Sequence, residues 1–123
     1  MDRLKIQKIL ALFTGDEYDE KYDPLIDLAI PETAKLLRPG VENEDPRVPF
    51  ICAAMANYRF RLMRCASDTG KYTYAGKVDE AGQQHKLEFA ERMLKEYLTL
   101  SRDILKNGEF VFMGFSGKEQ LDG

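Results

Sequence analysis

Apolar residues recur at helical spacing along most of this chain. The first such segment begins at Asp2, a suitable N-cap, and Gly15 follows it as a stop signal. Its apolar positions have the i, i+3, i+4, i+7 spacing of one helical face: Ile6, Ile9, Leu10 and Phe13. Because a helix this short is marginal in water, it is expected to pack against another element.

A second helix is predicted to begin within an acidic stretch that runs from Asp16 to Asp27. Asp23-Pro24 has the pattern of an N-cap followed by proline at the first helical position, and Arg38-Pro39-Gly40 ends the segment. Pro31 lies inside it and is expected to kink the helix or split it. The apolar stripe is Leu25, Leu28, Ala29, Leu36 and Leu37.

The strongest helix signal runs from Phe50 to Ala66, after a loop at 41–49. Its stripe covers four turns: Ile51, Ala54, Met55, Tyr58, Leu62, Cys65 and Ala66. Three alanines, Ala53, Ala54 and Ala56, make the early part slim, which suits close packing against a neighbouring helix. We therefore expect this helix to be the central one.

The segment from Ser67 to Gly82 has a different pattern. Residues 71–74 alternate polar and aromatic side chains as a short strand does, and Ala75-Gly76 offers a turn back through residues 77–79. The pattern predicts a β-hairpin, which would need support from the body or from another subunit because an isolated hairpin is marginal.

A long final helix is predicted from about Gln83 to Lys106. Its buried face has near-heptad spacing: Leu87, Ala90, Leu94, Tyr97, Leu98, Ser101, Ile104 and Leu105. Asn107-Gly108 suits a left-handed cap, a very apolar segment follows at 110–115, and the chain ends in a polar stretch.

These elements predict a mainly α fold. We expect a compact bundle of four to five helices with a short β-hairpin-like insert between the central and last long helices. The pattern gives one helical domain over residues 1–115 and a polar C-terminal tail over residues 116–123.

Composition limits the function classes. The chain has 123 residues, 44% of them hydrophobic and 32% charged, with a net charge of −3. That balance is typical of a globular domain, and it does not favour wholesale attraction to nucleic acid or to an anionic membrane. No apolar stretch approaches the roughly 20 residues of a membrane span, and no signal peptide is recognisable. Cys52 and Cys65 are expected to be reduced, as in a protein made in the cytoplasm.

No catalytic or cofactor motif is present. The single histidine, His85, has no nucleophile positioned beside it by sequence, and with Cys52 and Cys65 it lacks the spacing of a zinc site. The acidic stretch does not have the spacing of a calcium loop, and no phosphate-binding glycine loop occurs. We therefore predict no enzyme activity, no catalytic residue, no bound metal and no cofactor.

Two sets of residues are candidates for contacts with other molecules. The first is a basic set on and after the central helix, suited to a partner or, if several copies surround a channel, to the phosphates of DNA inside it: Arg59, Arg61, Arg64, Lys71 and Lys77. The second is an apolar set that either folds back over the core or contacts a neighbouring subunit: Tyr72, Tyr74, Phe110, Phe112 and Phe115.

This order of elements resembles the head–tail connector family of bacteriophages and prophages, also called head-completion or DNA-packaging adaptor proteins. The likeness rests on the paired early helices (LKIQKILALF and PLIDLAIPETAKLL) and the alanine-rich ICAAMANYRFRLMRCAS. It continues through KYTYAGKVDE, HKLEFAERMLKEYLTLSRDIL and the apolar FVFMGF, so it covers nearly the whole chain.

The resemblance implies a structural protein of the virion, made in the host cytoplasm, that forms a homo-oligomeric ring under the portal and extends the DNA channel. Its implied partners are further copies of itself, the portal protein, and a tail or stopper protein, with non-specific contact to passing DNA and none to a membrane. By the same resemblance, residues 71–80 would form an intersubunit or channel-side loop, and the apolar C-terminal segment would dock on the portal or a neighbouring subunit.

Two other functions remain open on the sequence. A small helical DNA-binding or regulatory module would use Arg59, Arg61 and Arg64 on a duplex, although no helix–turn–helix with a glycine turn is recognisable. An enzyme of unrecognised type would need a pocket with convergent carboxylates.

Overall fold

The computed structural model describes residues 1–41, 45–68 and 74–106, with the side chains of 68 and 74–81 outside that description. Four α-helices account for most of these residues: α1 (Arg3–Thr14), α2 (Asp23–Leu36), α3 (Arg47–Asp68) and α4 (Tyr74–Leu100). Short 3-10 turns occupy Glu20–Tyr22 and Arg102–Ile104. The predicted mainly α fold is confirmed, and the polar tail lies outside the described residues.

The ends of α1 follow the sequence signals. The Asp2 side chain accepts a hydrogen bond from the Lys5 backbone N–H at 3.2 Å, which satisfies one of the free donors at the start of the helix. Gly15 takes the left-handed conformation, with φ at 81°, and its N–H donates to the Ala11 carbonyl. Both predicted end signals are confirmed.

The predicted cap of α2 is wrong. Asp23 is the first helical residue rather than the N-cap, and its carboxylate accepts a hydrogen bond from the Tyr18 hydroxyl. The cap function moves upstream to Asp19, whose side chain accepts from the Lys21 N–H at the start of the 3-10 turn. Pro31 sits inside one continuous helix, so the chain is not split there.

The core is centred on the first half of α3. Every residue from Ile51 to Asn57 is buried, and α1, α2 and α4 all pack against this helix. The three alanines are fully buried, as expected for positions where neighbouring helices approach closely. The opposing faces supply the rest of the cluster, chiefly Ile6, Leu10, Ile26, Leu94 and Leu98.

Helices α3 and α4 lie side by side and run in opposite directions. They share the most extensive contact between elements, and Phe50 near the start of α3 stacks on Tyr97 near the end of α4 at 5.6 Å between ring centroids. With 22 and 27 residues they are about 33 and 40 Å long, much longer than α1 and α2.

The predicted β-hairpin between these helices is not supported. Residues 77–79, expected to form its second strand, lie in α4, which begins at Tyr74 and not at Gln83. The described residues contain no β-strand, only one isolated antiparallel bridge between Leu37 and Leu105. Extending α4 gives nine more residues intrahelical hydrogen bonds, which outweighs the cost of Gly76 and Gly82, about 1 kcal/mol each.

The C-terminal half of α3 and the N-terminal half of α4, called here the outer halves, extend beyond the core. The predicted stripe of α3 is buried as far as Met55, but Leu62 is 44% exposed and Ala66 is exposed. On α4, most described side chains from 82 to 89 are exposed, and Phe89 is 60% exposed. Neither α1 nor α2 is long enough to cover the full length of this pair.

The residues that follow α4 are hydrogen-bonded to the residues at the end of α2. Arg38 N–H donates to the Ile104 carbonyl at 2.9 Å, and Lys106 N–H donates to the Leu36 carbonyl at 2.8 Å. Arg47 binds Asp45 and Asp103 and also donates to the Leu100 carbonyl at 2.9 Å. The start of α3, the end of α4 and the last described residues therefore form one fixed unit.

Candidate functional site: a cationic cluster around Phe60

Phe60 and Tyr22 form an aromatic pair beside the middle of α3. Their rings meet edge to face, with centroids 4.9 Å apart, which is a favourable aromatic geometry. Tyr22 is buried, whereas Phe60 is half-buried and leaves part of its ring accessible. The pair exists because the 3-10 turn before α2 packs its tyrosine against the helix face that carries Phe60.

Three cationic side chains converge on this pair. The Arg61 guanidinium lies 5.1 Å from the Phe60 centroid and that of Arg64 lies at 6.0 Å. The Lys21 ammonium lies 5.7 Å from the same centroid and 5.4 Å from that of Tyr22. These distances are within the range of cation–π attraction, which offsets part of the repulsion between like charges.

The cluster keeps its positive charge largely unneutralised. None of Lys21, Arg61 and Arg64 forms an ion pair with a residue that the structure describes. Burial lowers the pKa of Arg61, the nearby charge of Arg64 lowers it further, and Asp16 acts in the opposite direction. The guanidinium of Arg61 also donates a long hydrogen bond of 3.5 Å to the Thr14 carbonyl.

Arg59 has a different environment, although the sequence places it in the same basic set. Both of its terminal nitrogens bind the carboxylate of Glu32 on α2, the second pair at 2.8 Å, with each side chain about one third exposed. This bidentate pair joins α2 to α3. Arg59 is therefore engaged within the fold, while Arg61 and Arg64 remain at the surface.

The rest of the predicted contact set is only partly described. Tyr74 and Lys77 lie on the first turns of α4, but their side chains are outside the described part. The remaining predicted residues also lie outside it: Lys71, Tyr72, Phe110, Phe112 and Phe115.

Lys21 is the member of the cluster that the sequence did not indicate. It stands in an acidic stretch, between Glu20 and Tyr22, and Phe60 lies 39 positions further along the chain. No local spacing rule connects the two positions. The only available signal was a single lysine among acidic residues next to a tyrosine, which is too common to be diagnostic.

The geometry suits recognition of an oxyanion. Two guanidinium groups supply directional donors, and the ammonium supplies a third charge beside the same aromatic pair. A carboxylate or phosphate approaching Phe60 would meet all three groups.

Other reactive groups lie elsewhere. Cys52 is buried beside Thr33, and burial raises the pKa of its thiol to about 11. His85 is exposed on α4. Within the described ranges, no three His, Cys, Asp or Glu side chains are grouped so that they could hold a metal ion. No helix in those ranges has the length and apolar character needed to cross a membrane.

Comparison with known proteins gives no assignment. No family model, no curated protein and no solved structure matches this chain. The site therefore has to be interpreted from its own residues.

Proposed function

We propose that this chain is a structural protein of virion assembly: a head–tail connector that forms a ring, binds the portal and extends the DNA channel. It acts by contact and has no enzymatic activity. The observation that carries the proposal is the cationic cluster around Phe60, whose charges form no ion pair with a described residue, in a chain whose order of elements resembles that family.

The cluster supports a contact function through its electrostatics. Three like charges within about 6 Å of one ring raise the free energy of the isolated chain. An anionic partner removes that cost, because its negative charges offset the repulsion within the cluster. The partner is therefore bound more tightly and in a defined orientation. Carboxylates of a portal or of a neighbouring copy satisfy this requirement.

The paired outer halves of α3 and α4 support assembly through their exposed apolar residues. Leu62 and Met63 on α3 are 44% and 59% exposed, and they adjoin the cationic cluster in sequence. Phe89 on α4 is 60% exposed with the Arg92 guanidinium 5.6 Å from its centroid. Apolar side chains next to unpaired charge are typical of a surface that another protein covers.

Sedimentation velocity tests the proposal directly. The protein should be examined over a range of concentrations, alone and with its cognate portal protein. A closed oligomer, either at high concentration or on the portal, is the expected result. A strictly monomeric protein that never binds the portal contradicts the proposal, whereas a monomer that assembles only on the portal supports it.

Charge-reversal variants test whether portal binding depends on the cluster itself or only on the overall charge of the protein. Arg64→Glu should weaken portal binding by about tenfold, equivalent to about 1.4 kcal/mol. Arg102→Glu is the matched control, because Arg102 is equally a surface arginine but lies after α4 and outside the cluster. Equal losses from the two variants would mean that the cluster has no special role.

A second candidate function, a small DNA-binding module, also draws on the cluster. Three surface cations can contact only a few phosphates, and the neighbouring acidic stretch opposes a long polyanion. Tight binding of a short duplex by the isolated protein would favour this alternative over the connector.

A further inference from the structure

The exposed face of α4 combines large apolar side chains with charges of both signs. Phe89 and Leu100 are each 60% exposed. Between them lie the exposed Arg92 and Glu96, neither of which forms an ion pair with a residue that the structure describes. Apolar side chains flanking unpaired charges are typical of a face that another protein covers.

An apolar groove opens at the C-terminal end of this face. It has a volume of about 250 Å³ and is lined by Pro46, Arg47, Phe50, Tyr97, Leu100 and Ser101. An apolar cavity of about 150 Å³ already accepts a benzene ring, so this groove has room for one aromatic side chain.

Contacts behind the groove hold it in shape. Arg47 donates to the Leu100 carbonyl at 2.9 Å and pairs with Asp103 at 2.8 Å. Phe13 packs against the two aromatic rings of the wall, with its centroid 6.5 Å from Phe50 and 5.9 Å from Tyr97. Because the groove is preformed, a side chain that enters it does so at a lower entropic cost.

This face is complementary to itself when α4 is reversed. Phe89 lies five residues before Leu94, and the stretch of α4 that lines the groove, residues 97–101, is centred five residues after it. At 1.5 Å per residue, both features are about 7.5 Å from Leu94 along the helix axis. Arg92 and Glu96 lie two residues before and after the same point. A two-fold axis at this level therefore sets Phe89 opposite the groove and Arg92 opposite Glu96.

Positions around the helix axis agree with this symmetry. Successive residues are about 100° apart, so Phe89 and Leu100 differ by only about 20°, and Arg92 and Glu96 differ by about 40°. A two-fold axis perpendicular to two antiparallel helices brings together residues from the same side of the face, as these pairs require. Within one helix, an arginine four positions before a glutamate is in the less favourable order, which leaves both charges available to a second copy.

We propose that two copies of this chain pair through the exposed face of α4, with these helices antiparallel and each Phe89 in the groove of the other copy. Each Arg92 then faces Glu96 of the other copy. The contact is isologous, so it closes at two copies and cannot by itself build the ring of the proposed connector. It uses neither Arg61 nor Arg64 and needs no portal, so it stands or falls separately from that function.

Sedimentation equilibrium of the full-length protein, at concentrations up to about 1 mM, tests the pairing. The unmodified protein should show a monomer–dimer equilibrium. Phe89→Ser should raise the dissociation constant by more than about tenfold, because the ring that fills the groove is lost from both copies. Leu12→Ser is the matched control and should leave the constant unchanged, since Leu12 is 76% exposed on α1 and outside this face.

Charge reversal tests the register of the contact. Arg92→Glu brings four carboxylates together and Glu96→Arg brings four guanidinium groups together, so each variant alone should associate at least about tenfold more weakly than the unmodified protein. An equimolar mixture of the two variants should recover the dimer, because every carboxylate then faces a guanidinium of the other copy.

Several results would overturn the pairing. One is an unmodified protein that stays monomeric at every concentration. Others are a dimer that Phe89→Ser and Leu12→Ser weaken equally, a dimer that both charge variants leave intact, and a mixture of the charge variants that stays monomeric. The substituted positions are all exposed, and circular dichroism confirms that each variant is folded. None of these measurements involves a portal, so failure of the dimer and failure of the connector proposal are distinguishable.

Discussion

At the scale of single residues, four arginines in and around α3 have four distinct environments. Arg47 binds two aspartates and a carbonyl, Arg59 binds Glu32, Arg61 lies half-buried on Phe60, and Arg64 is exposed over the same ring. The sequence shows only that three of them share a helix segment. Arg59 takes its partner from α2, Arg47 from the end of α4 and Arg61 from the end of α1, so the distinction is set by tertiary packing.

The Arg59–Glu32 pair should contribute measurably to stability. A double-mutant cycle with Arg59→Ala and Glu32→Ala should give a coupling free energy of about 0.5–1 kcal/mol, the upper range for partly exposed pairs, because the contact is bidentate. Urea unfolding of the four proteins supplies the values. An identical cycle using Arg64 in place of Arg59 serves as the control and should give a coupling near zero.

Acid should weaken the contact between Arg47 and Asp45. Hydrogen bonding to Arg47 lowers the pKa of Asp45 to about 2, from an ordinary value of 3.8. A lowered pKa means that the folded state binds the proton less tightly, so the stabilisation is present above pH 4 and is lost as the pH falls toward 2.

Thermal unfolding across this pH range measures the effect. The wild-type protein should lose stability between pH 4 and pH 2 more steeply than Arg47→Gln, in which Asp45 has no guanidinium beside it. Parallel profiles for the two proteins would show that the pair makes no contribution. The comparison cancels the titration of the carboxylates that do not contact Arg47, whereas Asp103, whose pKa Arg47 also lowers, contributes to the difference together with Asp45.

At the scale of elements, α3 depends on small residues in its first half. Ala54→Leu adds three carbon atoms at a position that is 0% exposed and should lower the free energy of unfolding by about 1–3 kcal/mol through overpacking. Ala66→Leu makes the same change at an exposed position of the same helix and should be within about 0.5 kcal/mol of wild type. Chemical denaturation distinguishes them, and equal effects would refute the packing argument.

The helices could be predicted from the sequence where the apolar stripe of a segment matches the face that is buried in the structure. The stripes of α1 and of the first half of α3 match the buried faces, and the cap at Asp2 and the stop at Gly15 are found as expected. The start of α4 was not predictable from alternation. The polar–aromatic pattern at 71–74 favours a strand only when a neighbouring strand pairs with it. In the structure α4 already begins at Tyr74, and this helix packs against α3.

The candidate site was predictable only in part. Arg61 and Arg64 are visible as basic positions off the buried stripe, but Lys21 joins them only through the packing of Tyr22 on Phe60. Conversely, Arg59 looks equivalent in sequence and is bound by Glu32 in the fold. A charge pattern gives the side chains that are available, and the fold determines which of them remain unpaired.

At the scale of the whole molecule, the net charge of −3 and the small cluster limit what the isolated protein can do with DNA. Contact with three phosphates predicts that log K falls with log salt concentration with a slope of about −2.7. Fluorescence anisotropy with a labelled duplex at several salt concentrations measures this slope. A value steeper than about −6 would require many more phosphate contacts and would favour the DNA-binding alternative.

In the proposed ring, the same surface would be repeated once for each copy of the chain. Each copy brings one cluster and one pair of extended helices, so a closed ring presents both features at regular intervals around its axis. This repetition lets a protein with weak monomeric contacts bind a symmetric partner firmly through effective concentration.

Electron microscopy of purified portal rings mixed with an excess of this protein tests the connector proposal most directly. The proposal predicts an additional ring of density on one end of the portal, with rotational symmetry, that is reduced when Arg64→Glu replaces the wild-type protein and retained with Arg102→Glu. Portal particles that remain bare at saturating concentrations of the folded wild-type protein would contradict it.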